Sequence, residues 1–342
     1  MISTESPWAP ARQIGPWLAA QTGAPGWAEC QVSLISGGKS NLTFRVASDA
    51  GEAIIRRPPA GDHAAGAHDV LREARVQQRL ASSAVPVPEI LGVDSGDLLG
   101  VPFYAMQSVD GHCIRERLPA GFATSATDRR GLTFAMIDVF ASLHELEPAA
   151  VGLADLGRPE GFVERQVNRW RRQWTADQTH PVPAVDELGS RLSASLPERF
   201  GAAIVHGDCK LDNLLMDRDD PSRVRALLDW EMSTLGDPLA DLAMLLLFWR
   251  EPGEAQISIV PTVSALPGFP SRAELIERYA RRHTIDETHL AFHQGLAHLK
   301  FAVILQGIAR RSRAGVMAGQ NYDDADVEVE FIATEGLRRL DP

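Results

Sequence analysis

Between residues 206 and 243 the chain sets carboxylates and an amide at spacings that leave few architectures open. The first segment, H-G-D-C-K-L-D-N, runs over 206–213 and places Asp208 five residues ahead of Asn213. Strand-length apolar pieces, 202–205 and 214–217, flank it. The second, L-L-D-W-E-M-S-T-L-G-D-P-L-A-D-L-A, runs over 227–243, and its Asp229 follows an apolar run at 224–228 that reads as another short strand. Pro238 then opens a nearly all-apolar stretch, 238–249, expected to be a buried helix with proline in its first turn. Such a chain must hold several polar side chains at the ends of short strands around a buried helix.

That arrangement suits phosphoryl transfer, which needs alignment, cations against the phosphates and an acceptor for the hydroxyl proton. Asp208 suits the proton, since a carboxylate about 3 Å from a hydroxyl can orient and deprotonate it. Asn213 and Asp229 suit Mg²⁺, which prefers hard oxygen ligands and keeps several waters. Lys210 is a candidate to neutralise the transferring phosphoryl group, with a solvated surface lysine as the equal alternative. His206 is expected to buttress the loop, Gly207 to permit its backbone geometry, and Asp212 to lie on its surface. Asp241, in the first turn of the apolar helix, is expected to brace the loop rather than bind a ligand, and Asp237 to cap that helix. Cys209 reads as a small filler residue.

Upstream, periodicity predicts a helix over 10–21, strands over 31–35, 42–47 and 52–57, a helix over 68–82, and strands over 89–93 and 101–108. The turn between the first two strands holds Gly37 and Gly38, which let backbone approach a ligand closely. Arg56 ends the third strand and Glu73 lies 17 residues later on the helix, so a cation on the α/β-phosphates backed by a carboxylate is expected there. Arg57 is the rival, because strand alternation sends only one of the two to the phosphate side. Residues 109–111, Val-Asp-Gly, are taken as a hinge. The expected organisation is a nucleotide-binding lobe over 1–108 and a helical lobe over 109–342 carrying the catalytic loop and acceptor site. Helices are predicted over 128–146, 161–175, 185–196, 238–249, 272–282, 289–313 and 324–340, with a loop over 251–270.

At this point the chain resembles the aminoglycoside phosphotransferase and choline kinase group, which shares the protein-kinase-like fold. The motifs H-G-D-x-x-x-x-N at 206–213 and D-W-x(5)-G-D-P-x-x-D-L-A at 229–243 carry the resemblance. It implies an α+β bilobal fold, an antiparallel sheet lobe with one long helix and a mostly helical second lobe. It implies ATP and Mg²⁺, with GTP open as an alternative to ATP, and a small-molecule hydroxyl acceptor. By resemblance Asp208 is the catalytic base, and Asn213 and Asp229 are the magnesium ligands. Ser40 and Asn41 belong to the nucleotide-covering loop, Arg56 with Glu73 stands at the lysine–glutamate position, and Gln107 to Val109 line the adenine hinge. A closer likeness is to kinase-like domains fused or adjacent to acyl-CoA dehydrogenases, carried by S-G-G-K-S-N-L-T-F at 36–44, I-R-R-P-P at 55–59 and R-Q-V-N-R-W-R-R-Q-W at 165–174. For that subgroup, hydroxy-acyl acceptors are implied. The implied acceptor is thus a hydroxy acid or its CoA thioester, with an aminoglycoside-like amino sugar as the other class. A silent nucleotide-binding regulatory protein is the alternative function.

Arg165, Arg169 and Arg172 recur at helical spacing and are expected to form one cationic face, with Trp170 and Trp174 packing inward. His289 and His293, four apart, are expected to be surface or packing histidines. A net charge of −11 argues against broad nucleic-acid binding. No apolar run reaches the ~18 residues of a bilayer span, and the first dozen residues lack the pattern of a secretory signal. Cys30, Cys113 and Cys209 are scattered, which suits a reducing, cytoplasmic setting. Oligomeric state is not legible in the sequence.

Overall fold

A computed structural model describes residues 7–37, 41–59, 69–198, 201–313 and 325–341. Helix α1 (Ala11–Thr22) ends at Gly23 in the left-handed region and leads into a five-stranded antiparallel sheet. Its strands are β1 (Cys30–Gly37), β2 (Leu42–Ser48), β3 (Gly51–Arg57), β4 (Ile90–Asp94) and β5 (Phe103–Gln107), in the order β1-β2-β3-β5-β4. Helix α2 (Val70–Leu80) lies between β3 and β4 in sequence. Strand alternation divides the side chains between two faces. Phe44, Val46, Ala53, Ile55, Phe103 and Ala105 pack with Ile14 and Leu18 of α1. Tyr104 and Met106 face the other way and pack with Val70 and Ala74 of α2. The same parity sends Arg56 toward α2, whose buried face also carries Glu73 and Gln77. The glycine turn partly lies outside the described residues, including Gly38 and Ser40; Gly37 pairs with Leu42 at its near edge.

The rest of the chain is mostly helical: α3 (Ala126–His144), α4 (Phe162–Asp177), α5 (Pro183–Ala194), α6 (Pro238–Phe248), α7 (Arg272–Ala280), α8 (Glu287–Arg313) and α9 (Ala325–Leu340). Strands β6 (Ala203–Val205) and β9 (Thr234–Gly236) pair, as do β7 (Leu214–Met216) and β8 (Val224–Leu227). Strand β9 was not expected from the sequence, because three residues, one of them glycine, carry too little pattern; pairing with β6 makes it. The apolar run of α6 has a structural reason. Leu242, Leu245 and Leu246 enter a core with α3 and the short strands, while Ala243, Met244 and Leu247 enter a second core with α4, α5, α8 and α9. A helix buried between two cores has no polar face to keep. The protein thus has the α+β, kinase-like layout anticipated above, with the short strands at its centre. Among the described residues no helix is long and apolar enough to cross a membrane.

Candidate active site

The catalytic loop leaves β6 at Val205 and is held from beneath by Asp241 in the first turn of α6. The Asp241 carboxylate accepts the backbone N–H groups of His206 at 2.6 Å and Gly207 at 2.8 Å, and contacts His144 Nε2 at 3.2 Å. His144 Nδ1 meets the Tyr279 hydroxyl at 2.8 Å. Burial alone would raise the Asp241 pKa, but His144 and the backbone donors outweigh it and hold it below the ordinary carboxylate value. His206 reaches across to the carbonyl of Leu228 at 2.8 Å. Gly207 has φ +82°, and a Cβ there would lie 2.6 Å from the Met232 carbonyl oxygen. Asp237 accepts the N–H groups of Leu239 and Gly201, both at 2.9 Å, and so caps α6.

Above this brace, Asn213 Nδ2 donates to the Asp208 backbone carbonyl at 2.7 Å and to Asp208 Oδ2 at 2.9 Å. Lys210 Nζ lies 2.9 Å from the same Oδ2. Burial pushes the Asp208 pKa up, but Lys210 and the Asn213 amide overcome it, leaving the group below the usual carboxylate range. Asp208 is therefore a carboxylate at neutral pH. Asp212, expected on the loop surface, is instead partly buried, 3.9 Å from Lys210, and its pKa is raised by burial. The Asn213 carbonyl accepts the N–H of Leu228 at 2.8 Å, which brings Asp229 beside the loop. Asp229 itself sits at φ +65°, unusual for a residue with a side chain and a feature that concentrates at functional sites.

From the sheet side, Arg56 links both halves of the site. Its Nε lies 3.1 Å from Glu73 Oε2 and its Nη2 3.0 Å from Asp229 Oδ1. Glu73 is almost fully buried and also accepts Asn41 Nδ2 at 2.8 Å and the Tyr104 hydroxyl at 3.1 Å. Burial pushes its pKa up to about 7, against the pull of Arg56. Asn41 thus turns inward onto Glu73. Arg57, the rival, bonds the carbonyls of Pro58 and Trp8 on the opposite face, as alternation requires. Gln107 is exposed at the end of β5, its N–H bonded to the Glu89 carbonyl at 2.8 Å, and Val109 follows outside regular structure.

The donors fit Mg²⁺. The two hydrogen bonds from Asn213 to Asp208 are made through its nitrogen, which leaves Oδ1 outside them, and Asp229 has one oxygen not engaged by Arg56. One amide oxygen and one carboxylate, completed by water and phosphate, is a usual magnesium share. Among the described residues no three His, Cys, Asp or Glu side chains cluster as metal donors. His289 and His293 do not form a metal site either: His293 is buried, 3.4 Å from Asp237, and the His289 backbone N–H bonds Asp286.

Beside the loop lies a cavity of about 490 Å³ between α4, α6, α8 and the segment after Asp229. Of the three arginines expected to share one face, only Arg169 reaches it. Arg165 folds back onto the carbonyls of Glu160 and Arg158, and Arg172 faces a separate cleft with Arg171. The expected cationic face is therefore divided: the three positions share one side of α4, but their side chains turn to different neighbours. Trp170 and Trp174 do pack inward. Sequence reasoning missed Lys300 on α8, which lines the cavity and donates to the Gly207 carbonyl at 3.0 Å. A lysine set among the apolar residues of a long helix was the available signal.

The profile of a family described as phosphotransferase enzyme family matches residues 31–290. The chain belongs to this family. Acyl-CoA dehydrogenase family member 11 of Gallus gallus is 34% identical over 309 residues, covering 88% of this chain and 39% of that protein. The chain thus spans about two-fifths of the length of such curated relatives. Aminoglycoside 3'-phosphotransferase of Streptomyces fradiae is 26% identical over 239 residues, covering 67% of this chain and 78% of that protein. Among solved structures, one titled a putative aminoglycoside phosphotransferase from Ralstonia eutropha JMP134 superposes with a TM-score of 0.81 at 29% identity, over 96% of this chain and 98% of that one. Aminoglycoside phosphotransferase APH(4)-Ia shares the fold at 15% identity, with a TM-score of 0.61 over 96% and 99%. Family membership makes this chain a small-molecule kinase acting on a hydroxyl group.

Proposed function

We propose that the chain is an ATP- and Mg²⁺-dependent O-phosphotransferase with Asp208 as catalytic base. The observation that carries this reading is Asp208 held by Asn213 and Lys210 on the braced loop, with Asp229 brought beside it by the bond from Leu228 to Asn213. The acceptor hydroxyl hydrogen-bonds Asp208. Its oxygen forms a bond to the γ-phosphorus as the bond from that phosphorus to the bridging oxygen of the diphosphate breaks, and its proton passes to Asp208. Asn213 and Asp229 would hold Mg²⁺, which when bound offsets charge on the β- and γ-phosphate oxygens. Arg56, steadied by Glu73, meets the α/β-phosphates; its planar, permanently charged group suits that task in place of a lysine. Lys210 lies against the Asp208 oxygen and offsets charge on the transferring group. Gly37, at the described edge of the glycine turn, covers the nucleotide, and Gln107 to Val109 hold the base. Residues 1–108 act as the nucleotide lobe and 109–342 as the acceptor lobe.

The acceptor is a hydroxy acid or its CoA thioester, or an amino sugar; the named relatives support both classes. ADP release from Mg-ATP over a panel of both, beside Asp208→Asn, tests the reading. Turnover lost in the variant supports it. Tight ATP binding without turnover on any acceptor would favour a regulatory nucleotide-binding protein.

A further inference from the structure

We infer that Arg72 is a positioning residue for phosphoryl transfer: it straps α2 to the segment that follows Asp229, so that the Arg56–Glu73 pair and Asp229 keep one fixed separation. This rests on the phosphotransferase reading and goes beyond it. Helix α2 follows the third strand of the sheet, but its apolar residues are shared between two cores. Val70 and Ala74 pack on the sheet with Tyr104 and Met106, whereas Val76 and Leu80 enter the core of the helical part beside Leu156 and Trp230. The C-terminal half of α2 is therefore anchored to the helical part by apolar contact. Its N-terminal half, which carries Glu73, reaches the same part through a polar contact.

That contact is the Arg72 guanidinium. Its Nη2 donates to the carbonyl of Leu156 at 2.9 Å and to the carbonyl of Ser233. Burial is the larger influence on Arg72 and lowers its pKa, while Asp69 and Glu73 act the other way. Charge is thus offset nearby, and the two carbonyls serve to aim the group. Ser233, at the receiving end, is 1% exposed. Its N–H and its hydroxyl both bond the Trp230 carbonyl, at 3.1 and 2.7 Å, and so close the single 3₁₀ turn Trp230–Met232 that starts from Asp229. Trp230 is fully buried and donates to the Leu227 carbonyl at 3.1 Å. A turn that short and that well bonded moves as one piece, so holding Ser233 holds Asp229.

The contacts close into a ring. Glu73 Oε2 meets Arg56 Nε at 3.1 Å, and Arg56 Nη2 meets Asp229 Oδ1 at 3.0 Å. Asp229 leads through the turn to Ser233, whose carbonyl returns to α2 at Arg72. Consecutive side chains stand about 100° apart around a helix, so Glu73 and Arg72 face different neighbours from one turn. Cutting the ring at Arg72 leaves the Arg56 side chain to set the separation of Glu73 and Asp229. Arg75 touches the same region from the solvent side. Its bonds go to Asp155 and the Gly152 carbonyl, and both members of the Arg75–Asp155 pair are exposed, which makes it a weak tether.

Hydrogen exchange and turnover of the full chain test the strap, with Arg72→Met, Arg75→Met, Glu73→Gln and the Arg72→Met/Glu73→Gln double variant. Methionine keeps an apolar stem, and Val76 and Leu80 keep α2 docked. With Mg²⁺ and a non-hydrolysable ATP analogue bound, Arg72→Met should exchange at least about fivefold faster than wild type over both 70–80 and 230–236, with 238–248 unchanged. Arg75→Met should match wild type throughout. Turnover is ADP release from Mg-ATP with the hydroxy acid or aminoglycoside that serves the wild type best. Arg72→Met should lower kcat about ten- to hundredfold, since displacing reacting groups by ~1 Å costs about that much. Because Arg72 acts through Glu73, the loss in the double variant should fall well short of the product of the single losses. A merely structural role would shrink the active fraction, and the losses would then multiply. Arg72→Lys, a milder variant that reaches one carbonyl only, should lie between wild type and Arg72→Met in both readouts. Unchanged exchange over 230–236, multiplied losses, or an equal loss in Arg75→Met would each overturn the inference. Coupled exchange with no ADP release from the wild type would leave the strap standing and sink the kinase reading.

Discussion

Replacing Asp241 should uncouple the catalytic loop from the helix beneath it. In the native protein one buried carboxylate serves three donors: the N–H groups of His206 and Gly207 and the ring of His144. Asp241→Ala leaves two backbone N–H groups and an imidazole nitrogen buried without an acceptor. At ~1–3 kcal/mol for each orphaned group, and with some relaxation, the loss is about 3–5 kcal/mol. Asp241→Asn keeps one acceptor oxygen and should lose roughly half as much. Urea denaturation at pH 7 reads both. The pH dependence follows from the depressed pKa of Asp241 in the folded state. Its contribution is fully present above the ordinary carboxylate value of about 3.9 and is lost as pH falls through the lower folded value, so the variants should lack this part of the acid transition. His144→Gln combined with Asp241→Asn should be less damaging than the sum of the two by about 1 kcal/mol or more, because they share a contact. Strict additivity, or an Asp241→Ala loss under ~0.5 kcal/mol, would refute the brace.

Other expectations concern the reacting groups. Asp208→Asn should lower kcat by roughly 10²–10⁴ while nucleotide affinity, read by fluorescence titration, stays within a few-fold. Arg56→Ala strips the buried Glu73 of its cation and should cost about 3 kcal/mol or more in urea denaturation, whereas Arg57→Ala should leave ATP affinity unchanged. Gly207→Ala combines a positive φ with a Cβ 2.6 Å from the Met232 carbonyl, so stability should fall by at least ~1–3 kcal/mol and kcat with it. Wild-type stability in that variant would mean the loop has a second backbone solution.

The elements and the candidate chemistry were legible because they rest on local pattern. Strand parity alone separated Arg56 from Arg57, since alternate side chains must take opposite faces. The D-P-L-A-D-L-A segment announced a capped, buried helix with an acid in its first turn, and such an acid can serve only the chain ends docked there. Strand β9, the depth of Asp212 and the dispersal of Arg165, Arg169 and Arg172 were not legible. Each depends on which neighbour covers a residue, and spacing along one helix carries no information about its neighbours.

By itself, then, the sequence determined the kinase-like succession of strands and helices and the loop that carries Asp208 and Asn213, because backbone propensity and apolar period act over a few residues. Only the tertiary structure decided that Asn41, Tyr104 and Arg56 converge on Glu73, and that α2, α4 and α8 bring Arg72, Arg169 and Lys300 to one cavity. Those meetings join residues from 17 positions apart, Arg56 and Glu73, to 228 apart, Arg72 and Lys300. They are set by packing against shared cores, which no local pattern encodes.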